Sequence, residues 1–130
     1  MGTFEDTLGV SASGMRTQAR RIRHLSENIA NADTPGYRRK VTTFEDDMQR
    51  GQPAGAVTTG PVQLDQSVLT KIFDPGHPLA DQTGYFDGSN VDLVIEIADA
   101  REAQRSYEAN LKMFEQARQM SRSLLEILRR

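Results

Sequence analysis

Residues 89–130 read SNVDLVIEIADAREAQRSYEANLKMFEQARQMSRSLLEILRR and contain neither proline nor glycine. Because these two residues interrupt helices most strongly, the stretch is free to form one long helix. Its apolar residues recur at three- and four-residue spacing, which is typical of an amphipathic helix. They are Leu93, Ile97, Ala100, Tyr107, Leu111, Phe114, Ala117, Leu124 and Leu128. About 38 helical residues would span roughly 57 Å, more than the width of a compact domain of this size.

The other end of the chain shows a similar pattern over residues 4–32. Four apolar residues recur every seven positions, and a second set lies at the offset of a neighbouring seam. The first set is Leu8, Met15, Ile22 and Ile29, and the second is Phe4, Leu25 and Ala32. This spacing predicts a helix that packs against another helix. Gly9 and Gly14 each weaken a helix by about 1 kcal/mol relative to alanine, so we expect the first turns to fray without a partner.

The middle of the chain collects the helix-breaking residues. All five prolines and seven of the ten glycines lie between residues 35 and 88. Alternating β-formers, such as Val57/Thr59 and Val62/Leu64, predict short strands with a turn at Gly60-Pro61. We therefore expect a mainly α fold in which two long terminal helices pack as a coiled-coil-like hairpin around a small β-hairpin and loop insertion. The three parts are an N-terminal helix in 1–34, a middle region of 35–88 and a C-terminal helix in 89–130.

Composition narrows the class of protein. The chain has 130 residues, a net charge of −2, a mean hydropathy of −0.58 and no cysteine. Disulfides, thiolate metal sites and cysteine nucleophiles are therefore excluded. No apolar run approaches the ~18 residues of a membrane span, and the start of the sequence does not have the pattern of a secretory signal peptide. The near-neutral total conceals a net charge of +5 over residues 16–40 and −5 over residues 41–90.

Motifs for catalysis are lacking in the sequence. There is no glycine-rich phosphate loop with Lys-Ser/Thr and no G-x-S-x-G turn around a nucleophilic serine. His24 and His77 have no second ligand at metal-binding spacing. We therefore expect a protein that is not an enzyme, with no catalytic residues, no metal, no cofactor and no small-molecule substrate. The arginines of residues 16–23 are interpreted as a polar face or an interface with acidic neighbours, since few aromatic residues lie nearby to stack bases.

The apolar stripes point instead to association. Two helices of unequal length cover one seam of each other, and exposed apolar strips are sites of contact with other proteins. The predicted assembly interface consists of Leu8, Met15, Ile22, Leu25, Ile29, Tyr107, Leu111, Phe114, Leu124 and Leu128.

Two loops have a distinctive composition. In the first, Pro35-Gly36 suits the central positions of a type II turn, in which glycine supplies a positive φ. Its predicted functional residues are Asn28, Asn31, Pro35, Gly36 and Tyr37. The second loop has two prolines and is expected to be rigid and poor in hydrogen bonds. Its predicted functional residues are Asp74, Pro75, Gly76, His77 and Pro78.

These loops carry a resemblance to a known family. The stretch NIANADTPGY at 28–37 resembles the N-terminal signature of the bacterial flagellar axial proteins, which include rod, hook and hook-filament junction components. SNVDL at 89–93 and SYEAN at 106–110 resemble its C-terminal counterpart. FDPGHPLAD at 73–81, followed by Gly84-Tyr85, is similar to short proximal-rod members of the family, and the resemblance spans the whole chain.

The resemblance implies a structural subunit of the proximal rod, in which terminal helices of neighbouring subunits pack around a central channel. Its partners would be other copies of itself, other proximal and distal rod proteins, the base of the basal body and the export apparatus. The rod spans the periplasm, and its subunits leave the cytoplasm through type III export without cleavage of a signal peptide. Nucleic acid and small-molecule substrates are not among the implied partners.

Two other functions fit parts of the sequence. A cytosolic helical adaptor or chaperone-like binding protein would explain the apolar stripes but not the two loops, and cell fractionation would distinguish it from a rod subunit. A small nucleic-acid binder would use the arginine cluster, and its binding would weaken steeply with salt.

Overall fold

The structure is a computed structural model that describes residues 2–129, with side chains described from Phe4 onward. Its first helix, α1, runs over Gly2–Ala30, and its last helix, α2, over Leu93–Arg129. Six short strands lie between the helices. They are β1 (Lys40–Val41), β2 (Phe44–Asp46), β3 (Val57–Thr59), β4 (Gln63–Leu64), β5 (Lys71–Phe73) and β6 (Tyr85–Asp87). The expected mainly α fold with a small β insertion is confirmed.

The two helices pack along each other in opposite directions. Near the bend, Asn28 of α1 bonds to Glu96 of α2, and near the open end Phe4 lines a groove with Met120. The 29 residues of α1 and 37 residues of α2 correspond to about 44 Å and 56 Å. Because α2 is longer, its C-terminal turns are the least covered part of the pair, and residues 122–129 are all exposed.

The seam between the helices is made largely of small and polar side chains, which differs from the predicted apolar heptad. Leu25 is buried, but Leu8, Met15, Ile22 and Ile29 are only half-buried. The other buried residues along the seam and beside it include Ser11, Ser13, Gly14, Thr17, Ala103 and Ala117. Small side chains let the helix backbones approach closely, so the pair holds a thin core.

Gly14 explains part of this close approach. A Cβ added at Gly14 would lie 2.6 Å from Oδ1 of Asn110 on α2. The glycine therefore has a packing role, and neither it nor Gly9 interrupts α1, which is helical from Gly2 to Ala30. The sequence pattern indicated the local cost of these glycines but not the neighbour that requires one of them.

Strands β1 to β4 form one long antiparallel hairpin rather than separate hairpins. β1 pairs with β4 and β2 pairs with β3, with Lys40 opposite Leu64 and Phe44 opposite Thr59. The predicted turn at Gly60-Pro61 between paired strands is therefore wrong. Three residues, 60–62, oppose two residues, 42–43, so this stretch forms a bulge in one arm of the hairpin. The hairpin rests on α1, where Ser13 Oγ accepts a hydrogen bond from Val57 N at 3.0 Å.

The second hairpin pairs β5 with β6 and carries the proline-rich loop at its tip. Phe73 lies opposite Tyr85, and their rings meet edge to face at 5.0 Å between centroids. After β6, the chain enters α2 through Asp92, whose Oδ1 accepts a hydrogen bond from Val94 N at 3.1 Å and caps the helix. Over residues 2–129, neither helix has an apolar stretch long enough to cross a membrane.

Candidate functional site

A buried amide joins the three parts of the chain at the bend. Asn28, on the last turns of α1, is fully buried. Its Nδ2 donates to Lys40 O at 3.0 Å and to Glu96 Oε2 at 3.3 Å. Its Oδ1 accepts from Lys40 N and from the Tyr37 hydroxyl, each at 2.8 Å. All four hydrogen-bonding positions of the amide are occupied, so one side chain fixes the end of α1, the following loop and α2 together.

Glu96 extends this junction to the hairpin. Its side chain is 1% exposed, and its Oε1 accepts from Arg39 Nε at 2.5 Å. Arg39 also pairs with Asp65 beyond β4, with 3.3 Å between Nη1 and Oδ2. A carboxylate without water is costly unless it is paired and hydrogen-bonded, and Glu96 has both Arg39 and Asn28 for this purpose. We call Asn28, Tyr37, Arg39, Asn90 and Glu96 the bend junction.

Asn90 connects the entry of α2 to the chain on both sides of the long hairpin, before β1 and after β4. Its Oδ1 accepts from Arg39 N at 2.8 Å, and its Nδ2 donates to Asp65 O at 2.9 Å. One residue earlier, the Ser89 hydroxyl donates to Ala32 O, just beyond the end of α1. The SNVDL stretch therefore holds α2 against the loop that follows α1.

The predicted turn at Pro35-Gly36 is present. Tyr37 N donates to Thr34 O at 3.2 Å, and Gly36 has a φ of 75°, as the type II geometry requires. Gly36 N lies within hydrogen-bond distance of Asp87 O and Gly88 O, which brings this turn to the end of β6. Asn31, by contrast, bonds locally: its Nδ2 donates to Glu27 O at 2.8 Å.

Charges at the junction are paired. The hydrogen bond to Glu96 raises the pKa of Arg39, and burial raises the pKa of the Tyr37 hydroxyl. Lys40 forms an ion pair with Glu27, which raises the pKa of the lysine and lowers the pKa of the carboxyl. A hydrogen bond from the backbone of Ser67 lowers the pKa of Asp65, and Arg39 adds to that effect. The arginine, the lysine and the two carboxyls are thus held in their charged forms and the tyrosine hydroxyl in its neutral form, which suits a fixed structural joint rather than proton transfer.

The arginines of α1 are mostly directed at this chain's own residues or at solvent. Arg20 Nη1 donates to Thr59 Oγ1 at 3.0 Å, and Arg21 lies 3.6 Å from Glu102 of α2. Arg16 and Arg23 are exposed. Nothing in residues 2–129 groups three or more histidine, cysteine or carboxylate side chains at metal-binding distance.

The second loop is richer in hydrogen bonds than its two prolines predicted. His77 N donates to Asp74 O at 3.0 Å, and Leu79 N donates to His77 Nδ1 at 3.1 Å. The imidazole of His77 stacks on Phe86, with 4.0 Å between ring centroids. Asp81 Oδ1 accepts from Thr83 N and Tyr85 N, which closes the tip. The expectation of a hydrogen-bond-poor loop is therefore wrong, because backbone turns and side chains fill the positions that proline leaves.

The predicted assembly residues divide by exposure. Within this chain Leu25 is buried, and Leu8, Met15, Ile22, Ile29, Tyr107, Leu111 and Phe114 are half-buried. Leu124 and Leu128 are exposed, at 44% and 73%. Further exposed apolar side chains on α2, outside that prediction, are Leu93, Val94, Ile95, Ile97, Met113, Met120, Leu125 and Ile127. Because none of the residues that the structure describes covers them fully, α2 presents apolar faces at both of its ends.

One of these faces forms a groove at the open end of the helix pair. Phe4 of α1 lies beside Met113, Ala117 and Met120, and the groove continues along Leu124 and Ile127. A groove between two helices that is lined by such residues is suited to an apolar helix of another subunit.

Sequence reasoning missed the ion pair of the junction, between the buried Glu96 and the half-buried Arg39. A local signal was present, since Glu96 is the single charged residue in the otherwise apolar run of residues 93–98. Its partner lies 57 positions away in the sequence. A charge in an apolar run indicates a buried pair but does not identify the partner.

Two family models match the chain over its two long helices and the turns that adjoin them. "Flagella basal body rod protein" matches residues 8–38, and "Flagellar basal body rod FlgEFG protein C-terminal" matches residues 82–127. The first covers most of α1 and the Pro35-Gly36 turn, and the second covers β6, the entry to α2 and nearly all of α2. The matched class is that of flagellar basal-body rod proteins.

Comparison with curated proteins narrows the class. The chain is 39% identical to the flagellar basal-body rod protein FlgC of Agrobacterium fabrum, over 92% of this chain and 91% of that protein. It is 33% identical to FlgC of Salmonella typhimurium, over 85% and 87%, and 33% identical to FlgC of Borreliella burgdorferi, over 98% and 99%. The chain belongs to the FlgC family of flagellar basal-body rod proteins.

Proposed function

We propose that this chain is a structural subunit of the flagellar rod, that it occupies the proximal part of the rod, and that it has no catalytic activity. The observation that carries the proposal is the set of apolar side chains left exposed on α2, from Leu93 to Leu128. A monomer gains little from such side chains in water, whereas burial against neighbouring subunits stabilises an assembly by about 25 cal/mol per Å².

The terminal helices are the proposed contact surfaces. The groove beside Phe4 and Met120, together with the exposed turns 122–129, supplies one surface at the open end of the helix pair. Leu93, Val94 and Ile97 supply another at the bend end. Because these surfaces lie at opposite ends of α2, one subunit can contact more than one neighbour, and torque applied to the rod is shared among many buried contacts.

The bend junction has a geometric task in this proposal. Asn28, Tyr37 and the Pro35-Gly36 turn fix the direction in which the chain leaves α1 and therefore the position of both hairpins. Copies with identical bends present identical surfaces, as a regular shaft requires. The proline-rich loop lies at the tip of the second hairpin, where it is exposed to neighbours.

The proposed partners are other copies of this chain, other proximal and distal rod proteins, the base of the basal body and the flagellar export apparatus. The proposed location is the part of the rod that spans the periplasm, reached by type III export without cleavage of a signal peptide. The names of the relatives support a place in the basal-body rod, and they do not favour a cytosolic adaptor or chaperone-like protein.

Complementation of motility tests the proposal. The wild-type gene should restore swimming to a strain of the source bacterium that lacks its own copy, and the protein should be recovered with detergent-extracted basal bodies. Leu128→Asp places a charge on an exposed apolar position, so the variant should fold with wild-type stability yet abolish swimming.

Gln104→Asp is the matched control, because it adds the same charge at an exposed polar position of α2. It should leave motility unchanged. Normal swimming of the Leu128→Asp strain, or wild-type protein found only in the cytosol, would contradict the proposed function.

A further inference from the structure

The apolar pattern of the helices specifies which faces meet but not how far one helix is displaced along the other. On α1 the larger apolar residues recur every seven positions, from Leu8 to Ile29, and on α2 they recur at three- and four-residue spacing. The buried residues between them are mostly small. A displacement of one helical turn would place apolar residues against apolar or small residues again. A repeated pattern of this kind does not select one register of the two helices unless a specific pair of residues does so.

The bend junction supplies such a pair. Glu96 is fully buried, and its carboxylate is bonded to Arg39 and to Asn28. A shift of one turn would move Glu96 about 5–6 Å along α1 and away from both partners. A buried carboxylate without a partner is strongly unfavourable, whereas the wild-type register gives each of the two oxygens of Glu96 a hydrogen-bond donor.

We infer that the Arg39–Glu96 pair is a positioning element that selects one register of α2 against α1, and that its contribution lies in this selection rather than in stability. Replacement of a buried ion pair by apolar residues of similar volume is often neutral or stabilising. The pair is therefore not needed to hold the helices together. It rejects the shifted registers, since a shift of α2 by one turn takes Glu96 away from Arg39.

The chain offers a direct reporter of register because it contains no cysteine. A Cβ at Gly14 would lie 2.8 Å from Cγ of Asn110, so Gly14→Cys with Asn110→Cys places two sulfurs within bonding reach in the wild-type register. Reporters of a one-turn shift pair Gly14→Cys with Ser106→Cys or with Phe114→Cys. The two shifted reporters also carry Asn110→Ala, so that the space beside residue 14 is similar in all three reporters.

The test compares the three reporters in two backgrounds, wild type and Arg39→Met/Glu96→Met, by the rate of intramolecular disulfide formation in the purified protein. In the wild-type background, the Gly14→Cys/Asn110→Cys reporter should oxidise at least tenfold faster than either shifted reporter. In the Arg39→Met/Glu96→Met background, the ratio of the oxidation rates should fall below threefold. That variant without reporters should still fold and unfold cooperatively, with a melting temperature lowered only by the loss of the hydrogen bond that Asn28 Nδ2 donates to Glu96 and of the pairing between Arg39 and Asp65.

Two results would overturn the inference. One is a ratio of oxidation rates that stays above tenfold in the Arg39→Met/Glu96→Met background, since other contacts would then determine the register. The other is loss of folding in that variant, since the pair would then be required for stability.

The consequence for assembly rests on the proposed function and is measured separately. The Arg39→Met/Glu96→Met gene should not restore swimming to the deletion strain, and normal swimming would show that the rod tolerates mixed registers. Failure of the wild-type gene to restore swimming would contradict the proposed function itself and leave the disulfide result standing.

Discussion

The backbone of Lys40 is held at both of its polar groups by the side chain of Asn28. Lys40 N donates to Asn28 Oδ1 at 2.8 Å, and Asn28 Nδ2 donates to Lys40 O at 3.0 Å. The first residue of β1 is thereby fixed to the last turns of α1, although nine residues of turn and loop separate the two elements. The geometry of the insertion relative to the helix pair depends on this contact.

Replacement of Asn28 should therefore cost more than a single hydrogen bond. Asn28→Leu keeps a similar volume but removes the side-chain partner of the Lys40 backbone and of the Tyr37 hydroxyl, and it leaves Glu96 with Arg39 alone. Each unsatisfied buried group costs about 1–3 kcal/mol, and relaxation of the loop recovers part of this cost. We expect the free energy of unfolding, measured by urea denaturation, to fall by about 2–4 kcal/mol.

Asn31→Leu is the matched control, because Asn31 bonds only to neighbouring residues of α1 and the turn and is half exposed. It should cost less than about 1 kcal/mol. Equal losses for the two variants would contradict the central position assigned to Asn28.

The two Pro-Gly turns should respond differently to alanine. Gly36 has a φ of 75° with no atom within 4 Å of an added Cβ, so Gly36→Ala should cost about 1–2 kcal/mol through backbone strain alone. Gly76 has no positive φ, and an added Cβ there meets only Asp74 Oδ1 at 3.8 Å. Gly76→Ala should be neutral or slightly stabilising in thermal unfolding, because alanine restricts the unfolded chain. A larger loss at Gly76 than at Gly36 would contradict the assignment of the type II turn.

Acidification should weaken the contact between α1 and the long hairpin through His24. This residue is buried, and its Nδ1 lies 2.7 Å from Thr42 Oγ1. Burial lowers its pKa below the ordinary value of 6.5, and the positive charges of Arg23 and Lys40 act in the same direction while Glu27 opposes them. Between the lowered pKa and 6.5, the unfolded chain binds more protons than the folded chain, so stability is complete above 6.5 and is lost as the pH falls through the folded pKa.

The measurement is the free energy of unfolding at a series of pH values from about 7.5 down to about 5. His24→Gln keeps a hydrogen-bonding side chain at this position but cannot titrate, so its stability should decline less over this range than that of the wild type. Parallel curves for the two proteins would exclude a contribution of His24.

The helices and their boundaries could be predicted because their signal is local. The absence of proline and glycine after residue 88 and the three- and four-residue apolar spacing both act within one turn of a helix, and α2 begins within four residues of the predicted position. The turn at Pro35-Gly36 could be predicted for the same reason, since the φ preferences of these two residues define the turn type. The same applies to Asn28 as a residue of interest, although its partners were not predicted.

The bend junction could not be predicted because its partners are far apart in the sequence. Glu96 meets Asn28 across 68 positions and Arg39 across 57. The turn predicted at Gly60-Pro61 was wrong for a related reason. These two residues have the composition of a turn, but the long-range pairing of Lys40 with Leu64 places them in one arm of a hairpin. Tertiary pairing overrides the local preference of such short segments.

The contact between Gly14 and Asn110 gives a final prediction in which local and tertiary effects oppose each other. In an isolated helix, Gly14→Ala should stabilise by about 1 kcal/mol. Here an added Cβ would lie 2.6 Å from Asn110 Oδ1, and the amide of Asn110 can yield only by disturbing its hydrogen bond to Ser106 O at 2.9 Å. Gly14→Ala alone should therefore leave stability unchanged or lower it by about 1 kcal/mol, as overpacking does.

Asn110→Ala removes the obstructing amide, so the same substitution at Gly14 should become stabilising in that background. A double-mutant cycle by urea denaturation should give a coupling of at least about 1 kcal/mol between the two positions. If Gly14→Ala stabilises the wild-type chain as much as it stabilises Asn110→Ala, the two side chains are not in contact, and the close approach of α1 to α2 at this level is wrong.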